Sequence, residues 1–217
     1  SDAAWVDRAA AVVWNGSADE VVSSAYRGLL ATVRRLRDVR DQNASQLLAG
    51  ATQRDEAPTG TVLIENALSE VVWPTVAVTR PLVILLDGMS APVAIELAEA
   101  LSGDGWTERV PDQGRRVPIL AALPTLTRYS RTAFFTGELR DGTQDTETAA
   151  MRARFGAPLF HKNDLRSDGG ESLPAPVRAA ISDPNQRLVG VVLNTIDDAL
   201  ASHDPGGTRW DLGTIQH

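Results

Sequence analysis

The stretch PLVILLDGMSAPVAIELAEAL, residues 81–101, combines an apolar run, a turn and a helical pattern. Its apolar run at 82–86 is typical of a buried strand, the Asp-Gly pair that follows can form the exit turn, and the remaining residues repeat apolar side chains at helical spacing. Two further apolar runs, at 117–123 and 187–194, are also followed by polar residues and helical patterns. Such units are typical of a parallel sheet, so we predict an α/β fold with a parallel sheet flanked by helices.

Polar side chains follow each of the three predicted strands. They are Asp87 after the first strand, Thr125 and Thr127 after the second, and Asp197 and Asp198 after the third. In open parallel sheets, ligands bind in the crevice outside the carboxyl ends of the strands. We therefore expect these side chains to converge on one crevice.

Residues 1–80 have a different pattern, with apolar residues at helical spacing and few Gly or Pro inside the runs. We predict a helical N-terminal region there and an α/β domain over 81–217. The motif Ser17-Ala-Asp-Glu20 predicts a capping box that opens a long helix. The polar face of this helix carries Arg34, Arg35, Arg37 and Arg40. These arginines either form a solvated face that pairs with nearby aspartates or contact a partner or nucleic acid.

The composition predicts a soluble globular protein. Of the 217 residues, 43% are hydrophobic and 23% are charged, which are near-average values that argue against disorder. The formal net charge of -7 disfavours a chain-wide electrostatic interaction with nucleic acid or an anionic membrane. Because cysteine is absent, metal ligands would have to be Asp, Glu, His or hydroxyl groups. No apolar run reaches the roughly 20 residues that span a bilayer, so we expect a cytoplasmic protein without a membrane partner.

The stretch PTLTRYSRTAFFTG, residues 124–137, gathers hydroxyl groups and two arginines after the second strand. A strand-to-helix junction offers backbone N–H groups and a positive helix end to a phosphate, and a hydroxyl group there can attack in line. In the alternative interpretation, Thr125 or Thr127 is only a helix N-cap, and Arg128 and Arg131 are exposed helix residues.

The aspartates after the first and third strands also have two interpretations. Adjacent carboxylates such as Asp197 and Asp198 repel each other unless a cation or a proton lies between them. A bound metal ion would be such a cation. Alternatively, one of the two caps the following helix and the other is solvated. Asp87 precedes a glycine that leaves room for a ligand, or it is merely a turn or cap residue. His161 and His203 are each more typical of surface or hydrogen-bonded residues than of ligands.

Three segments taken together resemble the PglZ domain. They are LVILLDGMS at 82–90, ALPTLTRYSRTAFFTG at 122–137 and VVLNTIDD at 191–198, and the resemblance covers roughly residues 81–200. PglZ proteins belong to the alkaline phosphatase superfamily and occur in bacterial phage-defence systems of the phage growth limitation and BREX kind. The middle segment is also similar to the superfamily's nucleotide pyrophosphatases/phosphodiesterases, in which Pro-Thr-x-Thr precedes a helix ending in Thr-Gly and the second threonine is the nucleophile.

The resemblance implies an alkaline-phosphatase-like fold and a metal-dependent phosphatase or phosphodiesterase. It makes Asp87 a metal ligand and Thr127 the nucleophile bound to the same metal, while Asp197 or Asp198 serves a second metal. The implied cofactor is a pair of divalent ions, with zinc as the expected metal. The implied mechanism is in-line attack by Thr127, a phospho-threonine intermediate and its hydrolysis by metal-bound water. The implied substrate is a phosphate ester or nucleic acid, and the implied partners are other phage-defence proteins.

The chain departs from the family pattern near its C-terminal end. A histidine usually follows the second-site aspartate by four residues, but Ala201 and Ser202 stand there and His203 is offset. No Asp-His-Gly motif follows residue 200. Because a two-metal centre needs several His and carboxylate ligands, we expect a truncated chain with an incomplete site that binds metal weakly or not at all. The alternative function is a catalytically inactive interaction module of the same defence system.

Overall fold

The computed structural model describes residues 6, 9–10, 13–14, 16–110, 116–166, 173–194 and 196. The α-helices that it delimits are α1 (Glu20–Arg54), α2 (Ala91–Gly103), α3 (Thr127–Thr136), α4 (Gln144–Phe155) and α5 (Ala175–Ser182). The strands are β1 (Val62–Leu63), β2 (Leu82–Leu86), β3 (Ile119–Leu120), β4 (Leu159–Phe160) and β5 (Val189–Leu193). Short 3₁₀ or π-helical turns lie at Ile64–Asn66, Leu68–Val72, Trp73–Ala77 and Lys162–Leu165. Within the described ranges, none of the helices has the length and apolar character needed to cross a membrane.

The described strands form small parallel sheets. One sheet has the order β2-β5-β4, and β2 pairs in parallel with β5 along the full length of both strands. Residues 189–192 of the central strand β5 are buried, as expected for an apolar run in the middle of a parallel sheet. β1 and β3 form a separate parallel pair. The prediction of an α/β protein with parallel strands flanked by helices is therefore confirmed.

The chain divides into two compact units. Among the described residues, the first unit contains those up to Gly60 together with Ser90–Val117, and so includes α1 and α2. The second unit contains Thr61–Met89 and the residues from Pro118 onward, and so includes both sheets and helices α3 to α5. All the residues of the candidate site described below belong to the second unit.

Helix α1 of the first unit begins at Glu20 because Asp19 caps it. The Asp19 carboxylate accepts hydrogen bonds from the backbone N–H groups of Val21 at 2.9 Å and Val22 at 3.0 Å. The predicted capping box from Ser17 is therefore wrong, and the Ser17 hydroxyl instead accepts a hydrogen bond from the Asp19 N–H at 3.2 Å.

The arginines of α1 lie on its exposed surface. The Arg34 guanidinium lies 4.7 Å from the centre of the Trp14 ring, a distance at which a cation–π contact forms. Leu29 and Leu36 on the same helix are also exposed, so the apolar positions of α1 are not all covered within this chain.

The core of the second unit packs α3 and α4 against the three-stranded sheet. Phe134 and Phe135 of α3 and Met151 of α4 are buried together with Leu159 of β4 and Val192 of β5. The two phenylalanine rings meet edge to face with their centres 5.0 Å apart, a favoured aromatic geometry. This packing fixes both helices relative to the strands, and α3 carries the residues of the candidate site.

Candidate functional site

Asp87 directly follows β2 at the carboxyl edge of the sheet. Its backbone N–H donates to the carbonyl of Leu193, the last residue of the neighbouring strand β5, at 2.9 Å. Gly88 then turns the chain with a φ of 76°, a left-handed conformation that glycine adopts without steric cost. The Asp87 side chain is 13% exposed and projects from the tip of the strand, as the sequence pattern predicts.

Thr127 is the first residue of α3, and the N-cap residue is Leu126. The interpretation of Thr125 or Thr127 as the N-cap is therefore wrong, and no side chain caps this helix. The Thr127 side chain is half-buried, whereas Thr125 is exposed. Because residues four apart in a helix share a face, Thr127 and Arg131 lie one turn apart on the same side of α3.

Arg131 links helix α3 to the end of β2 and to helix α4. Its Nη1 donates to Asp87 Oδ2 at 3.2 Å and its Nε donates to Glu147 Oε1 at 2.8 Å. The Arg131 side chain is 12% exposed and the Glu147 side chain is fully buried. A buried carboxylate is stable only when it is paired or protonated, so Arg131 is the counter-charge for two acids.

Arg128 stands three residues before Arg131 on α3, and its side chain is exposed rather than buried. Its side chain is 60% exposed and lies 3.6 Å from the Asp141 carboxylate. An exposed pair of this kind contributes little stability. The interpretation of both arginines as exposed helix residues therefore holds for Arg128 and is wrong for Arg131.

His161 extends the buried polar cluster beyond Glu147. Its Nε2 lies 3.5 Å from Glu147 Oε2 and 3.5 Å from the Thr148 hydroxyl. The His161 backbone N–H donates to the Asp164 carboxylate at 2.8 Å, which fixes the local chain. Glu147 Oε2, His161 Nδ1 and Thr132 Oγ1 are inaccessible to solvent and have no hydrogen-bond partner in the described part of the chain. A proton shared between Glu147 and His161 would satisfy the carboxylate oxygen.

Burial controls the ionisation of both groups. It raises the pKa of the Glu147 carboxyl, and the Arg131 guanidinium only partly offsets this. Burial also lowers the pKa of the His161 imidazole, and the nearby positive charge of Arg131 lowers that pKa further. The negative charge of Asp87, which shares the guanidinium with Glu147, also contributes to the raised pKa of the Glu147 carboxyl.

The structure brings together only some of the residues predicted for the crevice. Asp87 is joined to the helix that Thr127 begins, and the contact passes through Arg131. Asp197 and Asp198, predicted for a second metal, lie outside the described residues. Their roles stay predictions.

Glu147 and His161 belong to this cluster, but the sequence did not identify either of them as a site residue. Glu147 and Met151 are four residues apart on α4 and both are buried, so the acid occupies the apolar face of its helix. The spacing of Glu147 and Met151 was the feature of the sequence that could have identified this buried acid. His161 is 5% exposed and lies in the interior rather than on the surface, although its hydrogen-bonded character agrees with the sequence interpretation.

The donor groups in the described part of the chain do not form a metal centre by themselves. The described residues contain no group of three or more His, Cys, Asp or Glu side chains arranged to hold a metal ion. Asp87 Oδ2 is already paired with Arg131. These residues therefore do not by themselves fit the two-metal centre that the resemblance implies.

The chain matches no known family model, and no curated protein is significantly similar to it. The resemblance given above consequently depends on the three sequence motifs and on the chemistry of their residues.

Proposed function

We propose that this chain contributes part of the active site of a metal-dependent phosphatase or phosphodiesterase, in a PglZ-like phage-defence protein of the alkaline phosphatase superfamily. Thr127 is the proposed nucleophile and Asp87 a proposed metal ligand. The observation that supports this most is the hydrogen bond between Arg131 and Asp87, because it joins a strand-tip carboxylate to the threonine-rich helix. Two residues from separate motifs of the resemblance thus belong to connected elements.

The position of Thr127 suits attack on phosphorus. It stands at the start of a helix, where backbone N–H groups without intrahelical partners and the positive end of the helix dipole favour a phosphate. Its hydroxyl oxygen would form a bond to phosphorus while the bond between phosphorus and the leaving oxygen breaks. The hydroxyl proton would pass to the leaving oxygen, so an alcohol departs and a phospho-threonine remains. Water would then hydrolyse this intermediate.

A second function, that of an inactive interaction module in the same defence system, is favoured by the same ion pair. The guanidinium of Arg131 neutralises the carboxylate that the proposed chemistry assigns to a metal. If Asp87 stays paired with Arg131, its role is structural and it does not bind a metal ion. Its partners would then be other phage-defence proteins.

The test is hydrolysis of a phosphodiester and a phosphomonoester with zinc or manganese. The protein should contain these residues and any native sequence that continues from His217, and it should be compared with its Thr127→Ala and Thr125→Ala variants. We expect Thr127→Ala to lose activity by orders of magnitude, because removing a nucleophile removes the covalent route. Thr125 is exposed and precedes the helix, so Thr125→Ala is the matched control. Equal activity in Thr127→Ala and the unmodified protein would overturn the assignment of the nucleophile.

A further inference from the structure

Helix α1 carries a row of apolar side chains that stay exposed. Of its 35 residues, Ala51 is the one that is buried. The apolar side chains that are between 39% and 80% exposed are Val21, Val22, Leu29, Leu36, Val39 and Leu47. A helix of this length is about three times longer than the average helix, and helices in proteins draw most of their stability from packing an apolar face. The exposed side of α1 is therefore a face that lacks a packing partner.

The exposed apolar residues repeat with the heptad spacing of a coiled coil. Val22, Leu29 and Leu36 follow each other at intervals of seven residues and define position a. We call the residues at positions a and d of this repeat the α1 stripe; they are Val22, Ala25, Leu29, Thr32, Leu36, Val39, Asn43 and Gln46, and all are exposed. Apolar residues at this spacing pack against a second helix, and an asparagine at position a specifies the register of the pair. The spacing of the α1 stripe thus fits a helix as its partner.

The border of the α1 stripe is basic. The charged residues at the flanking positions e and g are all arginines, namely Arg35, Arg40 and Arg54. The acids of α1 occupy positions c and f, away from the stripe; they are Glu20, Asp38 and Asp41. Charges at e and g set the choice of partner and its orientation. This border is therefore complementary to a helix that has carboxylates at its own flanking positions.

A second copy of this chain does not supply those carboxylates. In a parallel pair of α1 helices, the g residue of one helix faces the e residue of the following heptad on the other, which would place Arg35 against Arg40. In an antiparallel pair, g faces g and e faces e, so the two arginines again meet no acid. Like charges across an interface suppress pairing. The charge pattern thus favours a different protein over self-association.

The polarity of the α1 stripe also argues against a membrane surface as the partner. Helices that lie in a membrane interface bury a continuous apolar face, often with tryptophan or phenylalanine. Thr32 and Asn43 interrupt the α1 stripe, and α1 contains neither tryptophan nor phenylalanine. Coiled coils tolerate such polar positions and use them for specificity.

We propose that the α1 stripe binds an acidic amphipathic helix of another protein. Apolar side chains of that helix pack on Leu29 and Leu36, and its carboxylates pair with Arg35 and Arg40. The inference is independent of the phosphoryl chemistry proposed above, because α1 belongs to the first unit and the candidate site to the second.

The experiment measures binding of two synthetic helical peptides to the 217-residue chain by fluorescence anisotropy. Both peptides have leucine at positions a and d of four heptads; one has glutamate at e and g, and the other has lysine there. Like charges at these positions keep each peptide from pairing with itself. The variant Leu29→Gln/Leu36→Gln removes the apolar contact from the α1 stripe.

Two further variants test the basic border. Arg35→Glu/Arg40→Glu reverses the charge at positions g and e. Arg27→Glu/Arg34→Glu makes the same change of net charge at position f, on the opposite side of the helix, and is the matched control. A general electrostatic attraction would respond equally to both variants, whereas docking on the α1 stripe responds to the first.

We expect the unmodified chain to bind the acidic peptide at least about tenfold more tightly than the basic peptide, because opposite charges then meet across the interface. Leu29→Gln/Leu36→Gln should weaken this binding at least about tenfold, because apolar burial is lost. The melting temperature of that variant should be unchanged, since both leucines are exposed in the free chain. Arg35→Glu/Arg40→Glu should prefer the basic peptide, and Arg27→Glu/Arg34→Glu should keep the preference of the unmodified chain.

Three results overturn the proposal. The first is that the acidic peptide does not bind at about 100 µM, or binds no better than the basic one. The second is a dimer of the unmodified chain, seen by sedimentation velocity, that Leu29→Gln/Leu36→Gln dissociates, since a second copy would then occupy the α1 stripe. The third is binding to phosphatidylglycerol vesicles that requires the same two leucines, since a membrane would then be the partner.

Discussion

At the scale of single residues, a change to one member of the Arg131–Glu147 pair should have a large effect on the free energy of unfolding. Glu147 is inaccessible to solvent, and one of its two carboxylate oxygens depends on Arg131. Removal of one partner from a buried pair leaves the other uncompensated, whereas removal of both charges leaves two neutral groups of similar shape. The raised pKa of Glu147 limits the cost, since the acid can take up a proton when its partner is lost.

Arg131→Met should therefore lower the free energy of unfolding by about 3 kcal/mol at pH 7, and Arg131→Met/Glu147→Gln should recover part of that loss, because Asp87 still lacks the Arg131 guanidinium. Urea denaturation followed by circular dichroism measures both values. Arg128→Met, which removes an exposed pair, should change stability by less than about 0.5 kcal/mol. A double variant that is less stable than Arg131→Met would contradict this account.

His161 should give the protein a loss of stability in acid. Burial lowers its folded-state pKa below the ordinary value of about 6.5, so the unfolded chain binds more protons between the two values. The stability contributed by His161 is present above about pH 6.5 and is lost as the pH falls through the lowered pKa. Asp145 and Asp164 oppose the shift and moderate it. Glu147 acts in the other direction, because a raised pKa gives stability at low pH that is lost as the pH rises.

We expect His161→Gln to lose less stability than the unmodified chain between pH 7 and pH 5, and Glu147→Gln to lose more. Urea unfolding at a series of pH values gives the slope for each protein. Identical slopes in the unmodified chain and His161→Gln would show that this imidazole does not change its protonation on unfolding.

At the scale of elements, long apolar or periodic runs were predicted well and short elements were not. The runs at 82–86 and 187–194 became β2 and β5, because strands of this kind are buried by the core whichever partner they pair with. The run at 117–123 contributes only a two-residue strand, and Val62–Leu63, which lies in the region predicted to be helical, forms strand β1. β4, which is equally short, had no periodicity to reveal it. Strands of two residues are fixed by their pairing partners rather than by their own sequence.

For the candidate site too, the sequence predicted the local features and not the long-range contacts. The positions of Asp87 and Thr127 follow from local turn and helix patterns, and both were predicted. The pairing of Arg131 with Glu147 joins residues 16 apart, and its bond to Asp87 joins residues 44 apart. Contacts of that kind depend on how α3 and α4 pack, which no single segment encodes.

Helix α3 ends at Gly137, and this residue can be tested directly. Its φ of 78° is a left-handed conformation, and an added Cβ would lie 2.6 Å from the Arg154 guanidinium. Arg154 itself donates to the Phe135 carbonyl at 2.8 Å and so satisfies the end of the helix. Gly137→Ala should therefore cost at least about 1 kcal/mol, because the left-handed conformation alone penalises a side chain by that amount.

Gly28 is the matched control, because it lies inside α1 with no atom within 4 Å of an added Cβ. Gly28→Ala should stabilise the protein by roughly 0.5–1 kcal/mol, since alanine is the better helix former. Thermal and urea denaturation measure both variants. If the two substitutions change stability in the same direction, the conformational explanation for Gly137 is wrong.

At the scale of the whole molecule, the buried cluster sets how the chain should respond to metal ions. The chain carries a formal net charge of -7, and a divalent cation is therefore attracted to it in a general way. A divalent cation that bound specifically at Asp87 would compete with the Arg131 guanidinium, which already lies 3.2 Å from one oxygen of the Asp87 carboxylate. A zinc ion that bound there would have to displace a cation that is covalently part of the protein and held by Glu147.

Zinc should consequently raise the melting temperature of the unmodified chain only slightly and raise that of Arg131→Met more, because the variant leaves Asp87 and Glu147 without their resident counter-charge. Differential scanning fluorimetry with and without zinc measures the shift, since a ligand that binds only the folded state stabilises it by mass action. Arg128→Met should respond like the unmodified chain, and Arg131→Met/Asp87→Asn should lose the additional shift. A large shift in the unmodified chain that disappears in Asp87→Asn would mean that Arg131 moves aside readily, and the site would then accept metal and phosphate together.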